Sequence, residues 1–281
     1  MLPAIILAAA LSFTDRNAAS AYNYARDLAE NHTPRDAGTV RGKLASNWIL
    51  DTASAAGLDV RRDPFMADAA KGRQKRMMNL VAEFKVRNDA EWVVLVSHYD
   101  TKAGVKCPGA NDGASTTGLL IALGEMLQNW QGPSAPGCNV MFIWTDGEEC
   151  VEAYGLKDGL WGSRHAAEWM RKKGMKVRAV IGLDMLGDED LAISVPQNGD
   201  EELAKLAMKC GEECGVKVSR METKVRDDHV PFMEAGFPAI DLIDFEYKYW
   251  HTPEDTTEHI TERSLKTSGT LVAAMLCELM K

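Results

Sequence analysis

The sequence predicts an α/β fold: a central, mostly parallel sheet flanked on both faces by helices. Three observations carry this expectation. Runs such as Trp92-Val93-Val94-Leu95-Val96 and Asn139-Val140-Met141-Phe142-Ile143-Trp144 are apolar at successive positions, the pattern of strands buried on two faces. These runs alternate with amphipathic helical patterns along the chain, as in folds where helices carry the crossovers. Several of them empty into charged residues, and ligands of open α/β sheets bind beyond the carboxyl ends of the strands. The 281 residues allow one large domain or two small ones and suffice for a sizeable core.

Residues 2–13 (LPAIILAAALSF) are too short an apolar run to span a bilayer. They fit the apolar region of an export signal, with Ala8-Ala9-Ala10 as a small-residue cleavage site. The competing reading is an apolar N-terminal turn docked on the domain. The expectation is therefore a leader over 1–13, one domain over 14–281, and an exported protein. Residues 16–30 read as a helix with Ala21, Tyr22, Tyr24, Ala25 and Leu28 on its apolar side. A second helix covers 39–56 and stops at Gly57. Residues 78–86 and 91–97 read as strands, and the basic run Lys71-Gly72-Arg73-Gln74-Lys75-Arg76 as a solvated loop. A helix over 114–130 has Leu119, Leu120, Leu123 and Leu127 at helical spacing. After the strand at 139–144 come a loop over 151–160, then Trp161-Gly162-Ser163-Arg164-His165 and a helix ending near Gly174, and strands at 177–183 and 191–195. An amphipathic helix covers 201–214. A short helix opens at Asp227-Asp228-His229 and stops at Gly236, a strand covers 238–243, and a last helix covers 262–280.

The formal net charge of -9 argues against nucleic acid or an anionic membrane as the main partner. The six cysteines show no zinc-finger spacing. Cys210 and Cys214 lie four apart on a helical pattern and read as free thiols, whereas Cys107 and Cys150 fall near candidate site residues.

His98, Asp112, Glu148, Glu149, Asp184 and His251 all follow strand-like segments or lie in the loops beyond them. A zinc site takes about three imidazole and carboxylate ligands and keeps one position open. Asp112, Glu149 and His251 can supply that set. His98 and Asp184 could hold a second metal with Asp112 bridging. The Asp146-Gly147-Glu148-Glu149 turn divides the labour between neighbours, because adjacent side chains cannot point the same way. Glu149 is free to bind metal while Glu148 carries protons. Each residue also has a plainer role open to it: Asp112 or Asp227 as a helix cap, His98 and Asp184 as strand-end residues, Trp250 as a core aromatic.

The motifs His98-Tyr99-Asp100, Asn111-Asp112-Gly113, Asp146-Gly147-Glu148-Glu149, Leu183-Asp184-Met185 and His251-Thr252, in this order, resemble those of the M28 zinc peptidases. The resemblance implies a single-domain phosphorylase/hydrolase-like α/β fold with a mixed sheet. Within that superfamily the chain looks closer to the glutaminyl-peptide cyclotransferases. Asp158-Gly159-Leu160-Trp161-Gly162-Ser163-Arg164-His165, Asp227-Asp228-His229-Val230-Pro231-Phe232 and the Trp250-His251 pair resemble cyclase segments. Carried over, this makes Asp112, Glu149 and His251 the ligands of one zinc and Glu148 the proton shuttle. Asp184 and Asp227 become its acidic support, and Trp250 a wall of the glutaminyl pocket. Tyr154 stands where the cyclases carry a pocket tryptophan. Ser97, Thr116 and Thr117 occupy the region of a cyclase cysteine pair.

The implied reaction closes an N-terminal glutamine to pyroglutamate with release of ammonia, so the partners are peptide or protein N-termini. An M28 aminopeptidase would use Glu148 on a water instead. A non-catalytic zinc-binding domain is a third class, opposed by the intact Glu148 and ligand set.

Overall fold

In the computed structural model, residues 12–69, 73–129 and 137–281 are described; the apolar run at 2–11 lies outside them. Helix α1 (Asp15–Asn31) starts at a reciprocal cap: Thr14 accepts from the Asn17 N–H, and the Asn17 side chain accepts from the Thr14 N–H. Phe13, at the end of the apolar run, is buried; a Cβ at Gly269 would run into its ring. Helix α2 (Val40–Ala55) is capped by Thr39, which accepts from the Gly42 N–H at 3.0 Å.

Then come strands β1 (Val60–Ala69), β2 (Arg73–Phe84) and β3 (Trp92–His98), a kinked turn over Ala110–Ser115, helix α3 (Thr116–Gln128), β4 (Asn139–Thr145) and α4 (Trp161–Lys172). The remainder is β5 (Val177–Asp184), β6 (Ser194–Val195), α5 (Glu201–Cys214), β7 (Ser219–Arg220), α6 (His229–Glu234), β8 (Ala239–Ile243) and α7 (Glu262–Leu279).

The sheet has eight strands in the order β1-β2-β4-β3-β5-β8-β6-β7. Its central strands β4, β3, β5 and β8 are parallel, while β1, β2 and β4 pair antiparallel. The connection from β3 runs to β4 on one side, and the chain leaving β5 continues to strands on the other side. That reversal opens a crevice at the carboxyl ends. Alternate residues of β3 serve different cores. Val93 and Leu95 pack with residues of α1, α3 and α7. Val94 and Val96 pack with Ala166, Met170 and Phe232 of α4 and α6.

The basic segment expected as a loop is instead the start of β2 from Arg73 onward. Arg73, Gln74, Lys75 and Arg76 pair with Ala69, Asp68, Ala67 and Met66 of β1. β1 was not legible because it is an edge strand with mostly open positions. Its Arg61, Arg62 and Pro64 suit an edge, where charge and proline discourage further pairing. The strand expected at 191–195 shortens to Ser194–Val195.

Among the described residues no helix is long and apolar enough to cross a membrane. All six cysteines are free thiols. Cys107 Sγ lies 3.7 Å from an Asp255 oxygen, and Cys150 Sγ lies 3.3 Å from Lys102 Nζ.

Candidate active site

β3 ends at His98 and β5 at Asp184, β4 leads into Asp146–Glu149, and the chain beyond β8 reaches His251. Asp112 sits at the break in the Ala110–Ser115 turn. There Asp112 (ψ 97°) and Gly113 (φ 90°) leave helical geometry. Only glycine takes that φ without strain, and a Cβ there would lie 3.1 Å from the His98 ring.

Two donor sets result, buried except for the half-buried His251: His98, Asp112 and Asp184; and Asp112, Glu149 and His251. Within each, one potential ligand atom per residue lies within 4.8 Å of the others. His251 Nε2 is 2.8 Å from Glu149 Oε1 and 3.4 Å from Asp112 Oδ2. His98 Nε2 is 3.1 Å from Asp112 Oδ1 and 3.2 Å from Asp184 Oδ1. Asp112 is common to both sets, one oxygen to each. His251 and Met185 hold φ of 57° and 52°, a left-handed backbone that non-glycine residues keep only where the surroundings enforce it.

Three carboxylates outside the sequence-derived site shape it. Asp100 accepts the N–H groups of Gly147, Glu148 and Glu149 at 2.9, 3.1 and 3.2 Å, folding the acidic turn around one side chain. Asp255 accepts the N–H groups of Asn111 and Asp112 at 2.7 and 3.2 Å and the Tyr247 hydroxyl at 2.8 Å. Asp158 accepts from Val151, Glu152 and Ala153, ordering the loop that carries Tyr154. Arg35 is fully buried and donates to the Tyr99, Pro108 and Gly109 carbonyls. Lys102 Nζ reaches Glu149 Oε2 at 3.3 Å. Asp100 lies within a motif the sequence exposes; Arg35, Lys102 and Asp255 carried no pattern.

Glu148 is buried, and the Tyr154 hydroxyl donates to its Oε1 at 2.8 Å. A cavity of about 190 Å³ adjoins it, lined by Tyr154, Asp227, Phe245, Trp250 and His251 among others. Its volume has room for about one residue. The Trp250 ring stacks on His251 at 4.2 Å and meets Phe245 at 5.3 Å.

Burial pushes the Glu148 carboxyl well above its ordinary range, helped by the charges of Asp227 and Glu149. Burial and then Asp112 raise Glu149 to about 7; burial raises Asp184 to about 6; burial and Asp184 raise Asp227 to about 7. Asp112 departs the other way: burial opposes its charge, yet His98 and His251 hold it below its ordinary value. Five carboxylates thus face two imidazoles in one buried cluster. Such a surplus of oxygen donors calls for a cation, so the donor set fits a divalent metal.

Residues 79–276 match the family described as Peptidase family M28. The chain belongs to peptidase family M28. Among curated relatives, a glutaminyl-peptide cyclotransferase of Drosophila melanogaster is 28% identical over 81% of this chain and 72% of its own length. Aminopeptidase YwaD of Bacillus subtilis is 29% identical over 67% of this chain and 41% of its own. The solved structure of an Acidobacteriales bacterium glutaminyl cyclase is 31% identical, with a TM-score of 0.84 and 94% of each chain covered. The mixed sheet with helices on both faces is thus the fold of an M28, glutaminyl cyclase-like protein. In this M28 chain Ser97 and Thr116, which stand in the region of the cyclase cysteine pair, are joined by a hydrogen bond, Ser97 Oγ to Thr116 Oγ1 at 2.9 Å.

Proposed function

We propose that this M28 protein is a zinc-dependent glutaminyl-peptide cyclotransferase acting on peptide and protein N-termini. The observation that carries the reading is the cavity sized for one residue, with buried Glu148 held by Tyr154 on one side and Trp250 on the wall. The similarity to glutaminyl cyclases over most of both chains supports it.

Asp112, Glu149 and His251 would hold the zinc, which when bound supplies Lewis acidity toward the γ-carbonyl of the substrate glutamine. Glu148 takes a proton from the α-amine as that nitrogen attacks the side-chain carbonyl carbon. It then delivers the proton to the departing amide nitrogen. The new N–C bond closes the ring, the old C–N bond breaks, and ammonia leaves. Asp227 acts on Glu148 through its charge, which favours the protonated carboxyl, and Asp184 bonds His98 beside it. Trp250 and Tyr154 confine the glutaminyl side chain, so that the amine is held near the carbon it attacks.

The aminopeptidase reading has one observation of its own: His98, Asp112 and Asp184 form a second donor set sharing Asp112. That set would serve a second metal, as a hydrolase acting through water would use it.

Mass spectrometry of zinc-loaded protein with a Gln-initiated and a Leu-initiated peptide tests the choice. Loss of ammonia from the first alone is expected. Release of free Leu or Gln would replace the cyclase with an aminopeptidase. The E148Q variant should keep fold and zinc and lose turnover; full activity in it would sink this mechanism.

A further inference from the structure

The floor of the cavity is acidic and its mouth is basic. Asp112, Glu148, Glu149, Asp184 and Asp227 line it within, while Lys224 and Arg226 line it as exposed side chains. The chain carries 41 acids against 32 Lys and Arg, so two cations at this opening run against its overall charge. The backbone explains where they sit. Val225, between them, is buried against Met185, Ile243 and Tyr247. Its N–H and C=O both bond the Asn198 side chain at 2.9 Å. With Val225 turned in, its neighbours turn out, and Asp227 follows at once as a buried residue. Neither cation is well paired. Arg226 has Glu234 at 3.9 Å, and Lys224 has no ion pair among the described residues.

We infer that Lys224 and Arg226 form a carboxylate subsite just outside the reaction cavity. It favours substrates with an acidic side chain at the second or third residue, or short peptides whose C-terminal carboxylate reaches the same place. This inference rests on the cavity holding the substrate's N-terminal residue. An extended peptide advances about 3.3–3.6 Å per residue. Arg226 and Lys224 lie one and three residues from Asp227, so within about 4 and 11 Å of chain from the floor. A carboxylate one or two residues beyond the reacting glutamine is therefore in reach of long cationic side chains. Phe245 and Trp250, 43% and 40% exposed, supply an apolar wall for the peptide between the two charged zones. The gradient from acid floor to basic mouth matches the polarity of a substrate with an amine at one end and a carboxylate further along.

The test compares kcat/KM for Gln-Glu-Ala-amide with Gln-Gln-Ala-amide, and for Gln-Ala with Gln-Ala-amide. It uses the zinc-loaded wild type and K224Q/R226Q, at low and high salt. An exposed ion pair changes affinity by up to about five-fold, so a preference of about two- to five-fold is expected for the acidic peptides, expressed in KM. It should collapse in K224Q/R226Q and at high salt, with turnover of the neutral peptides unchanged. Which of the two pairs shows it tells whether a side chain or a C-terminus is read. Equal values for acidic and neutral peptides, or a preference that survives in K224Q/R226Q, would overturn the subsite. The same ratio read as dissociation constants by calorimetry on zinc-loaded E148Q protein decides the subsite even where no peptide turns over, an outcome that would instead remove the cyclotransferase reading.

Discussion

Tyr154 holds Glu148 through a hydrogen bond of 2.8 Å, and a phenol at this position can be trimmed of one atom without emptying the pocket. A hydrogen bond to a charged group is worth about 1.5–3 kcal/mol. Y154F should therefore lower kcat about ten-fold or more and leave KM nearly unchanged. Steady-state kinetics on a Gln-initiated peptide check it; an unaltered kcat would separate Tyr154 from the proton shuttle. Asp100 acts one step further out, since its carboxylate gathers three successive N–H groups of the Glu148–Glu149 turn. Removing such support around a metal ligand costs about 10–100-fold in affinity. D100A should show that loss in a zinc competition titration with a chromophoric chelator. Wild-type affinity in D100A would mean the turn keeps its shape unaided.

Elements meet at β5 and β8, where Gly182 pairs with Asp241. A Cβ on Gly182 would stand 2.6 Å from Asp241 Oδ1. Asp241 is fully buried with both oxygens unpartnered among the described residues, and burial holds its carboxyl well above the ordinary range. G182A should destabilise the fold by about 1–3 kcal/mol, the usual penalty of overpacking, seen as a lower urea midpoint. An unchanged midpoint would show that β8 shifts freely.

At the start of α6, burial lowers His229 to about 4, and its Nε2 accepts from Asn198 Nδ2 at 3.0 Å. Its folded value lies below the ordinary 6.5, so the unfolded chain binds the extra proton first. This contribution is present above about pH 6.5 and is lost as pH falls toward 4. H229L should flatten the fall of Tm over that window; an identical Tm profile would place the acid sensitivity elsewhere.

For the whole molecule, the buried acids brought together by four parallel strands repel one another unless a cation sits among them. Zinc binding should thus stabilise the folded state by about 2.7 kcal/mol at a hundred-fold excess over Kd, or about 5 °C for a domain of this size. Scanning fluorimetry with chelator and then added zinc checks this, and a Tm indifferent to both would argue against a metal in this cluster. The legible part of the fold follows the same logic of burial. β3, β4, β5 and β8 are continuous apolar runs because both faces are covered, and α5, with an apolar stripe and an Asp200 cap, keeps its expected limits of 201–214. β1 and the start of β2 were illegible because an edge strand places charged side chains in water and owes its conformation to backbone pairing alone.

Local pattern alone determined the alternation of strands and helices, and motif order picked out Asp112, Glu148, Glu149, Asp184 and His251 as residues near strand ends. Both are properties of short stretches, where burial and turn chemistry act within a few neighbours. Only the tertiary structure decided that Asp112 offers one oxygen to each donor set. It also decided that Asp100, Asp255 and buried Arg35 hold the loops that carry the candidate ligands, and that Lys224 and Arg226 stand at the mouth. Most of those relations join residues far apart in the chain, up to 144 positions for Asn111 and Asp255. No local propensity encodes them; they arise when the strands close side by side and bring their ends to one edge of the sheet.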